Sequence, residues 1–76
     1  MTTLKRMVLD VLKPRHPNII DFAIAIAELG ADYRVIVKVD EVDDKTESVM
    51  LSIEAESLDF ESIQQSIQAL GGSLHS

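Results

Sequence analysis

Cysteine and tryptophan are absent from the 76-residue sequence, and aromatic residues make up only 4% of it. Without cysteine, the chain has no disulfides, no thiolate metal ligands and no cysteine nucleophile. A domain of this length buries only about 60% of the surface that its unfolded chain exposes. Because no disulfide stabilises so small a core, we expect association with a partner to supply further burial.

Long apolar runs and an excess of basic residues are also missing. No uninterrupted run approaches the roughly 20 residues of a membrane span, and polar Lys5 and Arg6 follow the first residues without an apolar export segment. We therefore expect a cytoplasmic protein without a membrane partner. Thirteen acidic and seven basic residues give a net charge of -6, which opposes binding to nucleic acid and supplies carboxylates for cations.

The apolar pattern predicts four strands and two helices in a single domain, residues 1–76. Asn18 is the predicted cap of the first helix, which ends at Gly30 in a left-handed cap, and Asp59 is the predicted cap of the second. The second helix has an apolar stripe of Phe60, Ile63, Ile67 and Leu70 and ends at the Gly71-Gly72 pair. The predicted strands cover residues 4–12, 33–42, 47–56 and 73–76.

The order β-α-β-β-α-β predicts an α+β, ferredoxin-like fold. Its antiparallel sheet has the strand order 4-1-3-2, and both helices lie on one face. Four residues are short for the last strand, which leaves open whether that strand continues beyond Ser76. The other sheet face is bare unless another chain covers it.

Several segments carry a family resemblance: MVLDVLKPRHP, AELG at the end of the first helix, the hairpin VKVDEVDDKTESVMLSIE, LDFESI and the terminal ALGGSLHS. Together they resemble the small archaeal family named domain of unknown function 211. The resemblance covers nearly the whole chain. It implies a ferredoxin-like fold, self-association and an archaeal cytosolic origin, and it implies no activity.

Surplus apolar residues predict a homo-oligomer. Ile20 and Ile24 lie at the edge of a broad apolar arc on the first helix, where exposed isoleucines favour an interface between subunits. The outward sheet face adds apolar residues among charged ones, and the four predicted there are Val8, Leu12, Ile36 and Met50. The alternatives are scattered surface isoleucines and a solvated face on which Arg34 and Lys38 pair with Glu54 or Asp40.

Two groups of residues are candidate sites for a divalent cation such as calcium, magnesium or zinc. Asp10 and His75 project from adjacent predicted strands on the outward face, where Asp40 or a neighbouring subunit adds oxygen ligands and His16 lies in a nearby loop. The acidic hairpin supplies Asp43, Asp44 and Glu47, although it lacks the spacing of an EF-hand. The alternatives are surface histidines and a solvated turn.

No glycine-rich phosphate loop is present, and His16 and His75 are the only histidines. Tyr33 is predicted to point inward, so the sheet lacks the exposed aromatics of RNA-binding relatives of this fold. We therefore expect a non-enzymatic, self-associating module that binds a divalent metal or a small-molecule effector at a subunit interface or on the open sheet face. The alternative is a purely structural protein–protein interaction module.

Overall fold

The computed structural model describes residues 5–75 of the chain. The elements in chain order are β1 (Arg6–Pro14), α1 (Ile19–Ala27), β2 (Arg34–Val42), β3 (Thr46–Glu54), α2 (Phe60–Ala69) and β4 (Ser73–Leu74). The predicted start of the first strand at Leu4 and the predicted end of the fourth at Ser76 lie outside the described residues. No helix in the described part of the chain is long and apolar enough to cross a membrane.

The four strands form one antiparallel sheet in the order β2-β3-β1-β4, which is the predicted order read from the opposite edge. β1 pairs with β3 along its whole length, from Arg6 opposite Glu54 to Pro14 opposite Thr46. β4 pairs with the other side of β1 at Val11 and Leu12. This arrangement confirms the predicted ferredoxin-like, α+β fold.

The core lies between the inward face of the sheet and the two helices. Alternate residues of β1 and β3 are buried there, as the alternation predicted, and Phe22, Ile26, Ile63 and Ile67 close the core from the helices. The predicted inward position of Phe60 is wrong, because its side chain is 41% exposed. Phe60 is the first residue of α2. Because helical side chains lean toward the N-terminus, its ring projects beyond the start of the helix and is not covered by it.

Two helix ends use glycine for different reasons. α2 ends just before Gly71-Gly72, as predicted, and Gly71 takes the left-handed conformation there with a φ of 87°. The left-handed cap predicted at Gly30 is wrong, since among the described residues only Gly71 has positive φ. A Cβ atom at Gly30 would lie 2.6 Å from the ring of Tyr33, so close ring packing is what excludes a side chain here.

A buried ion pair lies at one end of the core. β1 continues past the predicted end at Leu12, so Lys13 takes the next inward position and its side chain is fully buried. Lys13 Nζ donates to Glu47 Oε1 at 2.6 Å and to the carbonyl oxygen of Pro14 at 2.8 Å, and it lies 5.7 Å from the centroid of the Phe22 ring. The buried ammonium group therefore has two acceptors, and the Glu47 side chain keeps 14% exposure at the edge of the core.

Removing the lysine should cost much of the domain's stability. We expect Lys13→Ala to lower the free energy of unfolding by about 3–5 kcal/mol, because it leaves the Glu47 carboxylate buried without a counter-charge. The measurement is urea unfolding followed by circular dichroism. Exposed Lys45→Ala is the control, and an equal loss in both variants would contradict the prediction. If Lys13→Ala fails to fold, the apolar pair Lys13→Met with Glu47→Leu should restore a folded domain.

Candidate functional site

The outward side of the sheet is the broadest surface that the helices do not cover. We call it the open sheet face and define it by the outward residues of β1, β2 and β3 in the observed register. Three of its apolar side chains are strongly exposed: Ile36 at 70%, Val8 at 51% and Leu12 at 42%. Met50 lies between them and is partly buried. The predicted apolar residues therefore do lie on one uncovered surface.

A second apolar surface lies on the helix side of the molecule. Ile20 is 67% exposed and Ile24 is 51% exposed, as expected for the edge of the apolar arc of α1. Their neighbours Phe22 and Ile26 on the same helix are fully buried. Because α1 covers the inward face of the sheet, these two isoleucines form a patch separate from the open sheet face.

The register arranges the open sheet face in rows across β2, β3 and β1. The first row is Arg34, Glu54, Arg6; the second is Ile36, Ser52, Val8; the third is Lys38, Met50, Asp10; and the fourth is Glu41, Ser48, Leu12. The first row therefore carries two arginines and one carboxylate. The exposed apolar residues Ile36 and Val8 lie in the second row, and Met50 lies between two charged residues in the third. The proposed cross-strand pairing is not formed, because no ion pair involves Arg34 or Lys38 within the described residues.

A β-bulge changes which acidic residue belongs to this face. Val39 pairs with Val49, but the next pair is Glu41 with Ser48, so Asp40 is an extra residue in β2. A bulge of this kind shifts the alternation by one residue. Strict alternation predicted Asp40 beside Asp10 and His75. In the structure it is Glu41 that lines a groove with those two residues.

Asp10 and His75 come together at the β1–β4 edge, as predicted. The backbone N–H of His75 donates to the carbonyl oxygen of Asp10 at 2.7 Å, which aligns the two residues. His75 Nδ1 lies 3.5 Å from Asp10 Oδ2, which is longer than a good hydrogen bond. Asp10 Oδ1 is buried and has no hydrogen-bond partner among the described residues. This carboxylate therefore has an oxygen whose bonding capacity is unused.

The groove beside this pair has a volume of about 390 Å³ and is also lined by Leu12, Glu41, Asp43, Thr46 and Ser48. Within residues 5–75, however, no three His, Asp or Glu side chains are close enough to hold a metal ion together. One copy of the described chain thus offers two adjacent ligands, Asp10 and His75.

The other predicted cation ligands are dispersed. Glu47 is bound to Lys13, and His16 lines a separate groove with Asp44. Asp43 forms the hairpin turn: its N–H donates to the carbonyl oxygen of Thr46, and its own carbonyl oxygen accepts from Arg15. The acidic hairpin therefore works as a turn in which its carboxylates do not converge.

The sequence analysis did not predict two residues of interest. Lys13 continues the inward series of Met7, Leu9 and Val11, and the unbroken period of two was the signal that could have found it. Glu41 carries no comparable signal, because the bulge places it next to equally acidic Asp40 without a glycine to mark the irregularity.

Comparison with known proteins places these features in a family. A family model for domain of unknown function 211, described as "Uncharacterized ArCR", matches residues 5–76. The chain belongs to this family. The resemblance noted from its sequence segments is thereby confirmed. The chain is also 43% identical to "Uncharacterized protein MJ0319" of Methanocaldococcus jannaschii over 76 residues, which is 100% of this chain and 78% of the relative.

Proposed function

We propose that this family member is a non-enzymatic module that self-associates through its open sheet face. The supporting observation is the exposed apolar centre of that face, formed by Ile36, Val8 and partly buried Met50. Complete burial of an aliphatic side chain contributes about 1.5–3 kcal/mol, whereas association itself costs at least about 4 kcal/mol. Six such side chains, three partly exposed ones from each copy, therefore contribute an amount of the same order as that cost, which favours a reversible interface.

The groove at Asp10 and His75 lacks an engaged hydroxyl nucleophile in the described chain. Ser48 and Thr46 line the same groove and are its only hydroxyl side chains in the described chain. Neither hydroxyl is hydrogen-bonded to His75, whose side chain is 77% exposed. Nucleophilic catalysis by a hydroxyl requires a base within hydrogen-bonding reach and a third group that orients the base. The groove has the orienting carboxylate and the imidazole, but the hydroxyl does not engage them.

The prediction from this proposal concerns the size of the assembly. We expect Ile36→Glu to reduce the mass to that of one chain in light scattering at tens of micromolar, because it buries a charge at the centre of the interface. Ile24→Glu is the matched variant on the α1 patch. We expect its mass to remain that of a pair of chains, since its open sheet face is intact.

Circular dichroism should show both variants folded, because both positions are exposed. A wild-type chain that remains monomeric at these concentrations would contradict self-association. A paired wild type that Ile36→Glu leaves unchanged would contradict the assignment to the open sheet face.

A second candidate function is binding of a divalent transition metal at Asp10 and His75. The observation that favours it is the buried Oδ1 of Asp10, which has no hydrogen-bond partner within residues 5–75 and lies beside an exposed imidazole. Imidazole with carboxylate suits zinc, whereas calcium takes six to eight oxygen ligands. Water or a second chain would complete the coordination.

Zinc titration tests this candidate. We expect zinc to raise the melting temperature of the wild-type chain, because a ligand that binds only the folded state stabilises it by mass action. The increase should disappear in His75→Ala and Asp10→Asn and persist in the control His16→Ala, which alters the other histidine. A zinc response that survives in His75→Ala would rule out this site.

A further inference from the structure

We infer that the first row of the open sheet face binds a free acidic α-amino acid, with glutamate as the best fit. In this row Glu54 lies between Arg34 and Arg6 on the three paired strands. The two carboxylates of the ligand bind the two arginines, and its ammonium group binds Glu54. All three residues belong to one chain, so the inference does not depend on self-association.

Two grooves meet at this row. One has a volume of about 430 Å³ and the other about 280 Å³, and Arg6, Arg34 and Glu54 line both of them. Ile36 and Ser52 extend the smaller groove along the open sheet face. A small molecule therefore has room on the row itself and on either side of it.

The other charged groups of the larger groove contact one another. Asp32 Oδ2 accepts from the backbone N–H of Glu56 at 2.9 Å, and the Glu56 carboxylate lies 3.9 Å from Lys5 Nζ. Within residues 5–75, by contrast, neither guanidinium of the row makes an ion pair or a side-chain hydrogen bond, and nor does the Glu54 carboxylate. The row is thus the part of the groove whose charges are available to a ligand.

The order of the charges selects the class of ligand. Two positive charges flank one negative charge, so a complementary molecule carries two carboxylates that flank one ammonium group. Acidic α-amino acids have this order. A simple dianion would place a like charge against Glu54, and a neutral amino acid would leave one arginine without a partner. Guanidinium groups suit the planar, two-point geometry of carboxylates.

Strand pairing sets the width of the row and the expected strength of binding. Adjacent strands are about 4.8 Å apart, so the Cα atoms of Arg6 and Arg34 lie about 10 Å apart across β3. Glutamate, being longer than aspartate, spans this row better. The three side chains of the row are exposed. Each charge pair is therefore weak, and we expect a dissociation constant in the millimolar range.

NMR titration of the amide signals tests the inference. We expect L-glutamate to shift the amide signals of the row and to bind about threefold or more tightly than two analogues. L-glutamine lacks the second carboxylate, and glutarate lacks the ammonium group. The three ligands are compared at the same low ionic strength, because salt screens exposed charge pairs.

Variants connect each preference to a residue. Arg34→Gln should abolish the preference for glutamate over glutamine, because the second carboxylate then has no partner. Glu54→Gln should abolish the preference for glutamate over glutarate, because the ammonium group then has none. Lys38→Gln is the control. It removes a positive charge from an exposed residue of β2 that lines neither groove, so both preferences should persist.

Four outcomes would overturn the inference. The first is an absence of shifts at about 50 mM glutamate, well above the expected dissociation constant. The second is equal affinity for the three ligands, since the order of charges then selects nothing. The third is a preference that survives in the variant designed to remove it. The fourth is loss of both preferences in Lys38→Gln, which would indicate a general effect of charge.

Discussion

The central constraint on this molecule is that two short helices cover only one side of a four-stranded sheet. α1 and α2 together bury the inward residues of β1 and β3, including Val11, Leu51 and Ile53 at 0% exposure. Every second residue of the same strands must then point to the other side, where the described chain provides no cover. The open sheet face follows from this arrangement, as does the exposure of Ile36 at 70%.

Because the domain is small, its uncovered sheet face matters for its stability. A chain of 76 residues without disulfides has little stability in reserve. It nevertheless encloses the ion pair between Lys13 and Glu47, a group that contributes less than a well-packed apolar pair would. Burial of the open sheet face against another copy would add stability by mass action without any change in the fold.

Much of this arrangement was predictable from local pattern. Alternation placed Val8, Ile36 and Met50 on one face, and the β-α-β-β-α-β order placed Asp10 next to His75. The features that were predicted wrongly, or not predicted, have physical causes. The bulge at Asp40 arises from the pairing of β2 with β3, and the burial of Lys13 depends on a distant partner, Glu47. At Gly30 the cause is the packing of Tyr33. The bulge is set by strand pairing and the Gly30 packing by a side-chain contact, which a local pattern does not contain, whereas the alternation along β1 did carry the signal for Lys13.

The most direct test of the sheet-face interface is the concentration dependence of isoleucine methyl signals in NMR spectra of the unmodified chain. The proposed interface predicts that the Ile36 methyl shifts change from micromolar to millimolar concentration, as exposed side chains of the open sheet face become buried. Ile63 and Ile67, which are fully buried in one chain, should stay constant. Constant Ile36 shifts alongside changing Ile20 or Ile24 shifts would show that the copies meet through α1, and would contradict the sheet-face interface.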